Sequence, residues 1–313
     1  MKMDVSQLWD ATATMEKTAE TANAVGFFTR TRLRQECVLD RVMPPQFITQ
    51  NDLERNTNDD YPLIRVEKEL ETVAFSLGFR GSAEGNWFDG QKYEIYFGQV
   101  RTQEHNKTQE ELMTMRAPVV DYFNRNGVFD IGAKTDVTFR AGLDAAAAAS
   151  SNVITSTNTS FQKSDAVNML KQMEIKRLPA GCWIVTESRW NDILLFNPND
   201  IGYTLVGELA INGAKKIPTF LDIPVVRTIE AIGGGNTGAM PSAGSIVNSV
   251  WDNKSIYLCS TPDFLGKNFI LQDVQYHMER KYNLLTWAAW MTRGAGIGNI
   301  NASVRTDFPN AGI

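Results

Sequence analysis

Thr72-Val73-Ala74-Phe75-Ser76-Leu77-Gly78-Phe79, followed by Lys92-Tyr93-Glu94-Ile95-Tyr96-Phe97, is the stretch on which the reading of this chain turns. In the first run Val73, Phe75, Leu77 and Phe79 alternate with small residues, and in the second Tyr93, Ile95 and Phe97 alternate with Glu94 and Tyr96. Side chains along a strand point alternately to its two faces, so a period of two marks strands with one apolar face. Folded as a hairpin, the runs set Phe79 against Tyr93, Leu77 against Ile95, Phe75 against Phe97 and Glu71 against Arg101, the last an attractive cross-strand pair. A slip of one residue would mix the faces. The tip, residues 80–92, carries Gly81, Gly85, Trp87, Phe88 and Gly90 and is longer than any tight turn, a mark of loops that contact something. Two strands alone are marginally stable in water. Each large apolar side chain contributes about 1.5–3 kcal/mol only once it is buried. The cover is either the protein's own core or a neighbouring subunit, and the alternation leaves both open.

Upstream, residues 1–36 read as an arm with weak helical spacing at Val5, Leu8 and Trp9, leading into Phe27-Phe28-Thr29-Arg30-Thr31-Arg32-Leu33-Arg34. In extended form Arg30, Arg32 and Arg34 share one face, which could meet phosphates or a neighbour's carboxylates; a solvated, aggregation-resistant edge is the plainer reading. Residues 40–62, with Pro44-Pro45 and Asn56-Thr57-Asn58-Asp59-Asp60, read as a polar connector with little regular structure.

Downstream, Thr108 or Asn106 is placed to cap a helix carrying Leu112, Met115, Val119 and Phe123, with a kink or break at Pro118 and an end at Asn126-Gly127. A second helical segment runs from Asp136 to the polyalanine Ala145–Ala149, whose lack of bulk lets another element approach closely. Residues 150–160 read as a loop. Then the text turns α/β: a helix capped by Ser164, a buried strand Trp183–Thr186, and a short helix capped by Thr186 or Ser188 with Trp190, Ile193 and Leu194 on one face. Ile217–Thr228 reads as strand, tight turn, strand, and the last third is strand-rich (255–258, 268–271, 274–280, 284–290 and 300–305).

The composition offers no chemistry. The chain has 313 residues, 36 acidic against 31 basic, a net charge of −5 and 43% hydrophobic residues, an ordinary globular balance without a basic stripe for nucleic acid. No apolar run is long enough to span a membrane, and the first residues lack the apolar core of a signal peptide. Cys37, Cys182 and Cys259 form no C-x-x-C, and His105 and His277 stand apart with no metal-ligand spacing, so neither a zinc motif nor a nucleophile elbow is present. Gly233-Gly234-Gly235-Asn236-Thr237-Gly238 matches G-x-G-x-x-G, but no periodic helix follows to aim N–H groups at a phosphate, so the match reads as a loop. Gly294-Ala295-Gly296-Ile297-Gly298 fails the spacing. These observations assign no catalytic, cofactor-binding or metal-binding residue.

The order of parts (arm, long hairpin, helix, α/β lobe, closing strands) resembles the major capsid proteins of tailed phages, which carry the Hong Kong 97-like fold. Trp183-Ile184-Val185-Thr186-Glu187-Ser188-Arg189-Trp190 resembles the strand and helix that open the family's axial domain, and Leu221-Asp222-Ile223-Pro224-Val225-Val226 its recurrent short hairpin. Ile256-Tyr257-Leu258, Phe264-Leu265-Gly266-Lys267 and Glu279-Arg280-Lys281-Tyr282 with Trp287-Ala288-Ala289-Trp290 resemble its closing strands. The similarity spans most of residues 61–308.

The resemblance implies an α+β fold divided into an N-terminal arm and connector (1–60), an extended β-hairpin loop (61–103), a peripheral domain with a spine helix (104–178, the helix near 106–127), an axial domain (179–271) and closing strands shared between the two (272–313). It implies that a neighbouring chain covers Val73, Phe75, Leu77, Phe79, Trp87, Phe88, Tyr93, Ile95 and Phe97, and that Arg30, Arg32 and Arg34 face the shell interior or another subunit. It implies hexamers and pentamers in an icosahedral shell around non-specifically held double-stranded DNA, with scaffolding, portal and decoration proteins as partners, assembled in the host cytoplasm and ending in the virion. The scaffold would be a separate protein, since no long helical prefix precedes the arm. Some relatives cross-link through a lysine of this loop; Lys68 and Lys92 lie near it, but without a readable acceptor motif no cross-link is expected. A nanocompartment shell of the encapsulin type shares the fold and is the alternative; an enzyme with a site invisible in sequence is a more distant one.

Overall fold

The computed structural model describes residues 36–54, 61–69, 90–108, 110–111, 119–196, 219–229 and 250–309. In chain order the elements are α1 (Val38–Val42), β1 (Gln46–Phe47), β2 (Leu63–Glu67), β3 (Lys92–Tyr96), β4 (Gly98–Arg101), β5 (His105–Thr108), α2 (Val119–Ala149), β6 (Val153–Thr155), α3 (Lys163–Ile175), β7 (Ala180–Thr186), α4 (Glu187–Leu194), β8 (Thr219–Phe220), β9 (Ile223–Thr228), β10 (Ser255–Ser260), α5 (Pro262–Leu265), β11 (Gly266–Lys281), β12 (Leu284–Ile297) and β13 (Ser303–Asp307). The composition is α+β, as the sequence implies.

Two sheets carry the architecture. The larger has strand order β6-β13-β10-β7-β9-β8, with β7 parallel to β9, β6 parallel to β13 and the other neighbours antiparallel. Helices bury both of its faces, which is why Cys182-Trp183-Ile184-Val185 is apolar without interruption. Trp183 and Val185 join Ile256, Leu258 and Val304 against α3 and α4, through Met169, Met173, Trp190 and Ile193. Cys182 and Ile184 join Tyr257 and Cys259 on the other face against α1 and α2, through Leu39, Val42, Phe139 and Leu143. The turn between β8 and β9 falls at Leu221 and Asp222, which have φ of 53° and 62°, the paired positive values of a tight hairpin turn. The second sheet has order β1-β11-β12-β4, with β5 also paired to β12; Ile131 and Phe123 of α2 pack on it against Trp287, Ala289 and Met291.

Several local expectations are corrected. Asn126-Gly127 does not end a helix: one helix of 31 residues, about 46 Å long, runs through it to Ala149. The glycine serves packing instead, because a Cβ at Gly127 would lie 2.6 Å from Cη2 of Trp287, and Asn124 accepts a 3.0 Å hydrogen bond from that indole. Residues 105–108 are a strand, and the long helix covers 119–149, while 112–118 lie outside the described residues. Thr108 does cap the short turn at Glu110 and Glu111: its Oγ1 accepts from the Glu111 amide and its own amide donates to the Glu111 carboxylate. Pro118 lies outside the described residues. The connector 40–62 contains α1, β1 and a 3₁₀ turn (Gln50–Asp52), and the loop 150–160 contains β6. Gln162, not Ser164, caps α3 through a reciprocal arrangement with Asp165, and Leu194 faces solvent while Trp190 and Ile193 are buried.

Candidate assembly surface

The base of the long hairpin is where the sequence placed the chain's business, and its register differs from the expected one. Tyr93 pairs with Val66, Glu94 with Arg65, Ile95 with Ile64 and Lys92 with Glu67. In this strand Ile64 and Val66 alternate with Arg65 and Glu67, which adds charge matching. The Arg65 Nε donates to Glu94 at 2.9 Å, Arg65 also reaches Glu54 at 3.0 Å, and Lys92 meets Glu67 at 3.0 Å. Arg101 is drawn elsewhere: it pairs with Trp290 on β12 and bonds Glu104. The strand path breaks at Phe97, whose amide donates to the Pro62 carbonyl, so β3 follows β2 while β4 joins the larger hairpin of β11 and β12.

Ile95 and Phe97, expected to be covered by a neighbour, are 1% and 3% exposed and pack on Phe269 of their own chain. Their cover is intramolecular because the hairpin base lies directly on β12. The track beneath it is glycine: a Cβ on Gly294 would meet the Tyr96 carbonyl at 2.9 Å, on Gly296 the Ile95 side chain at 2.8 Å, and on Gly298 the Tyr93 ring at 2.6 Å. Gly294-Ala295-Gly296-Ile297-Gly298, dismissed as a nucleotide loop, is thus the seat of the hairpin. Its period-two glycine spacing was the available signal. Tyr93 is half-buried and held at its ring by that seat. Val73, Phe75, Leu77, Phe79, Trp87 and Phe88 lie outside the described residues, as do Arg30, Arg32, Arg34 and the Gly233–Gly238 stretch.

The root of the arm is also anchored. Asp136, in the middle of α2 and 2% exposed, accepts from the amides of Val38 (2.9 and 3.0 Å) and Leu39 (3.0 Å) and from the Cys37 thiol (3.3 Å). Burial pushes its carboxyl up to about 6 although these donors pull the other way. Burial, with the charges of Asp136 and Asp40, pushes the Cys37 thiol far above its ordinary range, so it is no nucleophile at neutral pH. Arg293 pairs with Asp40, and Asn268 donates to Asp40 (3.0 Å) and to the Met43 carbonyl (2.9 Å), tying α1 to the second sheet.

A third network joins α2 to the larger sheet. Arg140 donates to Asp252 (2.7 Å) and to Tyr257 (3.3 Å), whose hydroxyl donates to Asp144 (2.7 Å); Arg305 bridges Asp144 (2.9 Å) and Asp307 (2.7 Å). Each charge has an opposite partner, the arrangement of a structural tie. His105 clusters with Phe123 (5.3 Å) and Trp287 (5.8 Å), which also stack on each other (5.3 Å), and His277 lies against Trp290 (6.1 Å) with Glu279 at 3.8 Å. A cavity of about 660 Å³ between α2 and the end of β12 is lined by small and apolar residues such as Gly142, Ala145 and Ala146; among the described residues Arg293 is its charged member, and no carboxylate, cysteine or histidine lines it. Among the described residues no cluster of three metal-ligating side chains occurs, and no helix is long and apolar enough to cross a membrane.

Large apolar side chains are nevertheless left on the surface. Tyr282, at the turn joining β11 and β12, is 93% exposed with Leu284 beside it, and Phe47, Tyr61 and Tyr96 are exposed around the hairpin base. Such residues suit contact with other chains.

No family model matches the sequence, and no curated protein matches it. Solved structures do. The capsid of the cyanophage P-SCSP1u is 11% identical, aligned over 91% of each chain with a TM-score of 0.57. The mature capsid of bacteriophage PhiM1 is 10% identical over 92% of this chain and 91% of that one, TM-score 0.58. A structure from Mycobacterium phage Ogopogo is 10% identical over 90% and 94%, TM-score 0.61. The fold is the tailed-phage major capsid fold that the sequence resemblance implied.

Proposed function

We propose that the chain is the major capsid protein of a tailed double-stranded DNA phage, a structural subunit that builds hexamers and pentamers of an icosahedral shell around the genome. The observation that carries this reading is likeness to phage capsids over about nine-tenths of both chains. Exposed aromatics at the root of one hairpin and at the turn of another, beside charge networks paired within the chain, support a protein whose work is contact with its own copies. On this reading residues 61–103 lie across an adjacent subunit with Val73, Phe75, Leu77, Phe79, Trp87 and Phe88 toward it, while Ile95 and Phe97 hold the loop's root. Arg30, Arg32 and Arg34 face the interior or a neighbour, separate scaffolding, portal and decoration proteins complete the particle, and the host cytoplasm is the place of assembly and the virion the destination. The net charge of −5 suits an inner wall that does not grip packaged DNA tightly.

Electron microscopy of the purified chain under assembly conditions tests this. Closed shells or ring-shaped capsomers are expected; a strictly small particle at every concentration and salt would overturn it. Particles from infected cells should contain double-stranded DNA, and protein cargo in its place would move the assignment to a nanocompartment.

A further inference from the structure

Cys182 and Cys259 are direct partners in the antiparallel pairing of β7 with β10, on the same face of the sheet and both buried. Neither thiol takes part in the networks described above, yet their placement is specific. Opposed residues in such a pair have Cα atoms about 4.5–5.5 Å apart. A disulfide needs about 4.4–6.8 Å, so the backbone is already at bridging distance. Just beyond Cys259 the register shifts, with Ser260 opposite Ala180, which loosens the strand next to the pair. The third thiol, Cys37, is committed to the Asp136 carboxylate and shares no strand with either.

We propose that Cys182 and Cys259 are a dithiol site that closes to a cross-strand disulfide when the protein meets a thiol oxidant, stapling β7 to β10 in the middle of the larger sheet. With an azodicarboxamide such as diamide the reaction balances: two S–H bonds break, one S–S bond forms, and both hydrogens with their electrons pass to the N=N bond, giving the hydrazine. Both sulfurs are enclosed, so closure proceeds at the rate at which the strands open and is slow in the native protein. The link fastens residues far apart in sequence, so the oxidised form resists unfolding more strongly. The site does not depend on the chain's being a shell subunit. If it is one, a particle that leaves a reducing cell for an oxidising medium gains a reinforced sheet.

The test uses the purified full chain, incubated with diamide for times spanning seconds to a day, then denatured with excess N-ethylmaleimide and weighed. One maleimide per chain is expected, on Cys37, with the peptides containing Cys182 and Cys259 joined until reductant is added. The melting temperature should rise by about 5–10 °C. Cys37→Ser should leave the link intact, and Cys182→Ser should abolish it with a second maleimide taken up. Three maleimides at every time, or a link that includes Cys37, would overturn the proposal. Neither result bears on whether the chain forms shells, which microscopy reads separately.

Discussion

Gly127 and Asp136, nine residues apart on α2, show how single positions seat one helix against the second sheet and against α1. An alanine at 127 favours the helix by about 1 kcal/mol. Its Cβ, however, would sit 2.6 Å from the Trp287 ring, and overpacking of that kind costs about 1–3 kcal/mol. Gly127→Ala should therefore lower stability in a denaturant titration, despite the better propensity; a gain would show that Trp287 yields freely. Asp136 makes a pH-dependent contribution of definite sign. Its carboxyl titrates at about 6 in the fold against 3.8 ordinarily, so the fold binds the proton more tightly than the unfolded chain does. The stabilisation is complete below pH 3.8 and is lost as pH rises through 6. Measured against Asp136→Asn, the wild type should gain up to about 3 kcal/mol between pH 7.5 and 4, and a gap that stays flat would refute the assignment. Neither role was legible beforehand. Asn126-Gly127 carries the ordinary signature of a helix end, and only the indole across from it explains why the helix continues. Asp136 looks like any polar helix residue until α1, almost a hundred positions earlier, presents its free amides.

The long hairpin is the element whose reading changed most. Its second strand and apolar face were visible in the sequence, but the pairing of that strand with 63–67 was not, because Pro62-Leu63-Ile64 breaks the alternation that 72–79 keeps. The choice of 63–67 rests on Arg65 facing Glu94 and Lys92 facing Glu67, together with the Ile64–Ile95 contact. Root and surface residues should consequently separate in mutagenesis. Phe97→Ser removes a ring that is 3% exposed and should cost the isolated subunit about 3–5 kcal/mol, seen as a lower melting temperature before any assembly takes place. Tyr282→Ser, at the other hairpin's 93%-exposed turn, should leave the subunit's melting within about 0.5 kcal/mol of wild type while reducing the yield of particles. Equal melting losses in the two variants would mean that the Tyr282 turn is folded back on its own chain.

At the scale of the whole molecule, the strand-helix-hairpin order of the α/β lobe could be read from its apolar runs, and the Leu221-Asp222 turn was recognisable from its flanks. Membership of the sheets could not. β6, a three-residue strand in a run of serines and threonines, exists only because β13 arrives alongside it from far down the chain. The glycine track at 294–298 likewise acquires meaning only when the hairpin lies on it. The interior position of β13 in the larger sheet, between β10 and β6, also has a consequence for synthesis. A nascent chain that has reached residue 302 has β10 open along one edge, β6 without a partner and Val304 and Phe308 missing from the core. Folding of this lobe must wait until residues 303–308 have left the ribosome. A chain stopped at 302 should show no cooperative melting and enter no particle, whereas native-like melting would refute the requirement. The closing strand thus works as an inspection step, admitting finished copies and leaving interrupted ones without a lobe to offer.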